Sequence, residues 1–126
     1  MKFTDAQRLW IDTLKTTDKK QGRVYLHHAK ADTWCCLGIA CDLFVPQSER
    51  KLDEETGAEE FDGKDVRLPS KVQDLLGLHS MFGDSVQGDL RAISAYNDSG
   101  MSFREIADLL ERNPECYFVK GAEDGT

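Results

Sequence analysis

The sequence predicts a mainly helical α+β fold: one compact domain over residues 1–126 with a buried central helix, a helical hairpin near the C-terminus and a minor β-hairpin. Three observations lead there. The run Trp34-Cys35-Cys36-Leu37-Gly38-Ile39-Ala40-Cys41-Asp42-Leu43-Phe44-Val45 has one charged member, Asp42, in a chain that is 31% charged, and a segment apolar on all sides needs protein on all sides. Thr4, Ser70 and Ser102 are each followed three residues later by Gln7, Gln73 and Glu105, the spacing with which a hydroxyl and a carboxylate or amide satisfy the first N–H groups of a helix. From Gln47 to Leu68 apolar residues are sparse and Thr56-Gly57 and Asp62-Gly63 signal turns, which predicts a hairpin or a long acidic loop over 49–65.

Taken in order, the first helix presents Ala6, Leu9, Trp10, Thr13 and Leu14 on one face and fades near Thr16-Thr17-Asp18. Arg23 to His27 reads as a short strand or as an extended approach to the buried helix. That helix packs its core through Trp34, Cys36, Leu37, Gly38 and Cys41, with small residues admitting close neighbours; its first residues fit a strand equally well. Asp42 needs a partner there, with Arg23, His27, His28 or backbone N–H groups in reach of the argument. Pro69 precedes a short helix to Leu76 that Gly77 ends in a left-handed cap. A helix from about Val86 to Tyr96 then turns through Asn97-Asp98-Ser99-Gly100 into Phe103 to Arg112, a helical hairpin. Met101 and Ile106 are spaced as a hydrophobic staple around the Ser102 cap. Asn113-Pro114 stops the second helix, Cys116 to Val119 packs back as a strand, and 121–126 forms a flexible tail.

A chain of 126 residues buries about two thirds of the surface its unfolded form exposes, enough to hold one domain without disulfide, metal or cofactor. The N-terminus lacks the apolar centre of a signal peptide, and no apolar run reaches the ~20 residues that span a bilayer, so a cytoplasmic protein with reduced thiols at Cys35, Cys36, Cys41 and Cys116 is expected. The net charge of −7 is unevenly spread. Lys15, Lys19, Lys20, Arg23 and Lys30 face one acid, Asp18, in their stretch; Glu49, Asp53, Glu54, Glu55, Glu59, Glu60, Asp62 and Asp65 outnumber Arg50, Lys51 and Lys64 in theirs. Nucleic acid is a poor partner for such a chain, because neutralising phosphates needs a broader basic face.

No reaction is legible in the motifs. Cys-Cys-x4-Cys is not the two-to-four-residue spacing of structural zinc ligands. A thiol nucleophile would need an exposed cysteine beside a histidine, and an apolar run raises thiol pKa instead. The segment from Asn97 to Leu110 reads like the opening of a helix-turn-helix but runs into Asn113-Pro114-Glu115 where a basic recognition helix should follow.

Cys35-Cys36-Leu37-Gly38-Ile39-Ala40-Cys41-Asp42, then Leu68-Pro69-Ser70-Lys71-Val72 with Leu75-Leu76-Gly77-Leu78, then Asn97-Asp98-Ser99-Gly100-Met101-Ser102-Phe103-Arg104-Glu105-Ile106-Ala107-Asp108 together resemble a group of small uncharacterised proteins encoded by bacteriophages and prophages. The resemblance runs from Gly22 to Arg112 and brings no catalytic residues with it. It implies an accessory protein made in the bacterial host cytoplasm that binds and modulates a host or host-defence protein without catalysis. The expected contact surface is acidic: Glu54, Glu55, Glu59, Glu60 and Asp62. A second reading is a pocket for a nucleotide-like signal built from Lys19, Lys20, Arg23, Asn97 and Asp98. A third is a helix-turn-helix-like DNA reader.

Overall fold

The computed structural model describes residues 2–119, so the tail expected over 121–126 lies outside the described residues. It has the α+β, mainly helical architecture expected. Helix α1 (Asp5–Thr16) begins with both capping-box bonds, Gln7 N–H to Thr4 Oγ1 at 3.1 Å and Thr4 N–H to Gln7 Oε1 at 2.9 Å. Its buried face is not the expected stripe. Gln7, Trp10, Ile11 and Leu14 turn inward while Leu9 stays 48% exposed. The cause is polar: Gln7 Nε2 donates to the Leu76 carbonyl at 2.9 Å and Trp10 Nε1 to the Cys36 carbonyl at 3.0 Å, which rotates the helix away from the purely apolar optimum.

Three two-residue strands follow, β1 (Lys20–Gln21), β2 (His27–His28) and β3 (Thr33–Trp34), in the order β1-β3-β2, with β1 parallel and β2 antiparallel to β3. Arg23 to Leu26 is therefore a connection, and only His27 of that stretch enters the sheet. The apolar run divides as its composition allowed: Trp34 closes β3, and helix α2 (Cys36–Phe44) is buried from Cys36 through Cys41. A Cβ at Gly38 would collide with the Leu26 carbonyl, which accepts from the Cys35 N–H at 3.1 Å, so the corner between β3 and α2 closes only over glycine.

Long-range side chains finish both ends of α2. At its start the Gly38 N–H meets Cys35 Sγ at 3.4 Å and the Cys36 N–H meets Asn97 Oδ1 at 3.1 Å. At its finish Arg50 donates from Nη2 to the carbonyls of Val45 at 2.7 Å and Asp42 at 3.0 Å, and from Nε to Val45 at 3.0 Å. Arg50 also pairs with Asp42 Oδ1 at 3.1 Å, while Lys19 Nζ approaches Asp42 Oδ2 at 3.7 Å. Asp42 is thus one third exposed rather than enclosed, and its partner is neither Arg23 nor a histidine. It lies in the last turn of α2, where the chain returns carrying Arg50.

The acidic segment is an ordered hairpin: β4 (Arg50–Leu52) runs antiparallel to β5 (Glu59–Phe61), Arg50 opposite Phe61, and one bridge between Ala58 and His28 joins it to β2. Phe61 is fully buried with the Arg50 guanidinium 5.0 Å from its ring centroid. Helix α3 (Ser70–Leu76) ends at Gly77 with φ 69°, as expected, but lacks the capping box. Pro69 occupies the N-cap and its carbonyl takes the Val72 and Gln73 N–H groups.

Residues 86–92 are not helical, and α4 is only Ile93–Asp98. Tertiary bonds claim the backbone a longer helix would use: Val86 N–H donates to the Cys116 carbonyl at 2.9 Å, Ile93 N–H to Gly83 at 2.9 Å, and Tyr117 Oη to the Arg91 carbonyl at 2.8 Å. Helix α5 (Phe103–Arg112) has its Ser102–Glu105 capping box, forms the expected hairpin with α4 and packs along α1. The anticipated terminal strand is one helical turn, α6 (Pro114–Tyr117), because Pro114 starts a helix readily; of the strand only a single bridge from Phe118 to Leu78 forms.

Two outcomes follow. Asn97→Ala should lower stability by about 2–4 kcal/mol, since it strands the Cys36 N–H and the Gly22 carbonyl inside the protein and removes one of the bonds of the Gln21 amide; a shift in the urea midpoint at unchanged slope measures it. The second concerns acid. Glu111 bridges Arg8 at 2.9 Å and Lys15 at 2.6 Å, tying α5 to α1, and the Arg8 bond, then the Lys15 bond, hold its carboxyl below the usual glutamate range. A depressed folded value means this contribution is complete above the ordinary glutamate range and is lost as pH falls below that range through the depressed folded value. Glu111→Gln should cost under about 1 kcal/mol at neutral pH, and urea midpoints taken from neutral to acid pH should decline less steeply than in the parent chain.

Candidate functional site

Hydrogen bonding around α4 builds the most site-like feature of the described chain. Asn97, 1% exposed, accepts from the Cys36 N–H and Gln21 Nε2 and donates to the Gly22 carbonyl, so it locks α4 against the start of α2 and the end of β1. The next residue, Asp98, is held by its Oδ1 alone, which accepts from Asn97 Nδ2 at 3.1 Å and from the Val24 N–H at 3.0 Å. Asp98 and Ser94 then face Val24, Val66 and Phe82 across a cleft of about 280 Å³ with Cys35 in its lining.

Val24 is the anomaly of this cleft. Its φ is +69°, and the Tyr25 N–H donates to the Arg23 carbonyl at 2.8 Å across it, the bond and φ sign of the rare γ-turn. A β-branched residue in that region carries strain of about 1–3 kcal/mol. Burial does not offset it, because the residue is 54% exposed. Phe82, across the cleft, is 37% exposed. Strain, exposed apolar side chains and a fixed carboxylate therefore coincide.

The five residues expected to form a nucleotide pocket are only partly brought together. Asn97 and Asp98 sit as described, and Arg23 leads into the strained turn with its guanidinium near Gly100. Lys19 leaves them, lying 4.8 Å from the Trp34 ring centroid and facing Asp42, and Lys20 is exposed on β1. Of the three basic residues, only Arg23 stays beside Asn97 and Asp98. Trp34, Cys36, Leu37, Gly38 and Cys41 are all in the core, as expected.

The acidic hairpin is divided in use. Glu54, Glu55 and Asp62 are exposed, Glu60 is half-buried, and none of these four carboxylates makes an ion pair or hydrogen bond among the described residues. Glu59 is different: its Oε1 lies 2.7 Å from His27 Nδ1. The His27 ring stacks on Trp34 at 3.6 Å and 9°, and its Nε2 reaches Asp32 Oδ1 at 3.0 Å. Both contacts are donated at once only by the protonated ring, and the bond to His27 holds the Asp32 carboxyl below its usual range.

Burial pushes the Cys35 thiol up to about 12 and raises Cys36 and Cys41 as well, so these are uncharged packing groups at neutral pH. Among the described residues no group of three His, Cys, Asp or Glu side chains could hold a metal ion, and no helix is long and apolar enough to cross a membrane. Beyond α5 the described chain offers only the single turn α6, and a groove along α5 is lined in part by Glu105 and Asp108, which repel phosphate. The cleft residues Val24, Val66, Phe82 and Ser94 were invisible in the sequence. Only the Asn97-Asp98 pair hinted at them.

No curated protein and no solved structure matches the chain. Residues 2–114, covering every element from α1 to α5, match the family model described as domain of unknown function DUF8296, and the chain belongs to that family.

Proposed function

We propose that this chain acts by binding rather than catalysis, as an accessory protein of bacteriophage type that engages a basic surface on a host protein through its acidic hairpin. The observation that carries the reading is the set of unpaired carboxylates of Glu54, Glu55, Glu60 and Asp62 on a hairpin that is otherwise tightly anchored. Phe61 is fully buried, the Gly57 carbonyl takes the Ala29 N–H at 2.8 Å, and the Asp62 N–H donates to the Glu49 carbonyl at 2.7 Å. Folding thus uses the backbone and apolar side of the hairpin and leaves its charge for an encounter. The phage and host-cell setting rests on the motif resemblance. The buried, protonated thiols favour a non-catalytic role.

Glu54→Gln, Glu55→Gln, Glu60→Gln and Asp62→Asn combined should leave the melting temperature nearly unchanged, because exposed charges contribute little to stability. Glu59 stays intact in this variant, since it holds His27. A partner retained from bacterial lysate at low salt should be released as salt rises and retained poorly by the quadruple variant. Equal retention by both proteins at high salt sinks the reading.

A further inference from the structure

We propose that the cleft walled by Val24, Val66 and Phe82 is a binding site for a small organic cation, a protonated amine on a compact apolar body, with Asp98 Oδ2 as its acceptor. This site is separate from the acidic hairpin and does not depend on the partner argued above. Four observations converge. Asp98 Oδ1 is occupied by the Val24 N–H and Asn97 Nδ2, which orients the carboxylate and leaves Oδ2 without a hydrogen-bond partner among the described residues. The Ser94 hydroxyl beside it is likewise unpaired. The remaining lining is apolar: two valines, a phenylalanine and an uncharged thiol. The strained turn at Val24 sets one wall, and strain of this kind persists at ligand clamps.

The chemistry of the occupant follows from these groups. An acceptor-only carboxylate bordered by apolar side chains binds a charged N–H donor more strongly than a neutral one, and it repels anions. The Phe82 ring adds a face attractive to cations. The volume of about 280 Å³ falls just under the usual range of small-molecule pockets, which suits a ring or short chain bearing one amine and excludes a nucleotide. The occupant is a free small molecule, since a cleft of this size matches a compact ligand.

The test is an amide NMR titration of the full chain with benzylamine, benzyl alcohol and benzoate as probes. Benzylamine should give saturable shifts at Val24, Val66, Ser94 and Asp98; benzyl alcohol should bind roughly tenfold more weakly, the worth of one charge-assisted contact; benzoate should give none. Asp98→Asn keeps an oxygen for the Val24 N–H and should reduce benzylamine to the affinity of the alcohol. If that variant fails to fold, Phe82→Ala serves instead and should weaken both neutral and charged probes, unchanged affinities counting against the site. Equal binding of amine and alcohol by the parent chain, the absence of saturable shifts with benzylamine, or tighter binding of benzoate overturns the proposal. Tighter binding of a doubly capped lysine than of benzylamine overturns the assignment to a free small molecule.

Discussion

A helix buried from its first residue through Cys41 cannot leave its backbone ends unpaired, and that constraint organises this protein. The early N–H groups and late carbonyls of α2 lie inside the chain, where an unpaired backbone group costs free energy comparable to a lost hydrogen bond. Local sequence supplies only the Cys35 thiol, a weak acceptor 3.4 Å from the Gly38 N–H. The rest comes from afar. Asn97, sixty-one residues on, takes the Cys36 N–H, and Arg50, from the next hairpin, covers the carbonyls of Asp42 and Val45. Folding α2 therefore requires α4 to dock at one end and β4 at the other, so the hairpin, the central helix and the helical pair hold or fail together.

What was legible in the residues was whatever local chemistry decides. The apolar run announced α2, two of three capping boxes formed, Gly77 ended α3, and the turn at Thr56-Gly57 closed a hairpin. What was not legible was set by distant partners. Gln7 enters the core because the Leu76 carbonyl awaits it, and Ser70 loses its cap to Pro69. Residues 86–92 stay irregular because Gly83, Cys116 and Tyr117 take their hydrogen bonds. The cleft was hidden for a sharper reason: intrinsic preference argues against a valine at positive φ, so no reading of Arg23-Val24-Tyr25 alone would place a γ-turn there.

Charge, too, is redistributed by folding. The basic stretch from Lys15 to Lys30 looked like a patch, yet Lys15 goes to Glu111, Lys19 to Asp42 and Trp34, and Lys30 Nζ to the Glu54 carbonyl. Lys20, Arg23 and Lys30 are what remains exposed of it. The acids are spent less completely, since four carboxylates of the hairpin have no partner among the described residues. The folded surface is consequently more one-sided in its effective field than the formal charge of −7 conveys, which favours encounters with basic surfaces and small cations and opposes phosphate.

The contact between Gly38 and the Leu26 carbonyl has a bearing on descent. Most positions in this fold can drift: exposed acids can trade places, and core aliphatics can exchange volume with their neighbours. Position 38 has no such latitude, because even one methyl group meets backbone there, and backbone cannot be repacked by compensating substitution. Any chain that keeps this architecture needs glycine at that corner, whereas the exposed acids Glu54, Glu55 and Asp62 can be exchanged without a substituent meeting the core.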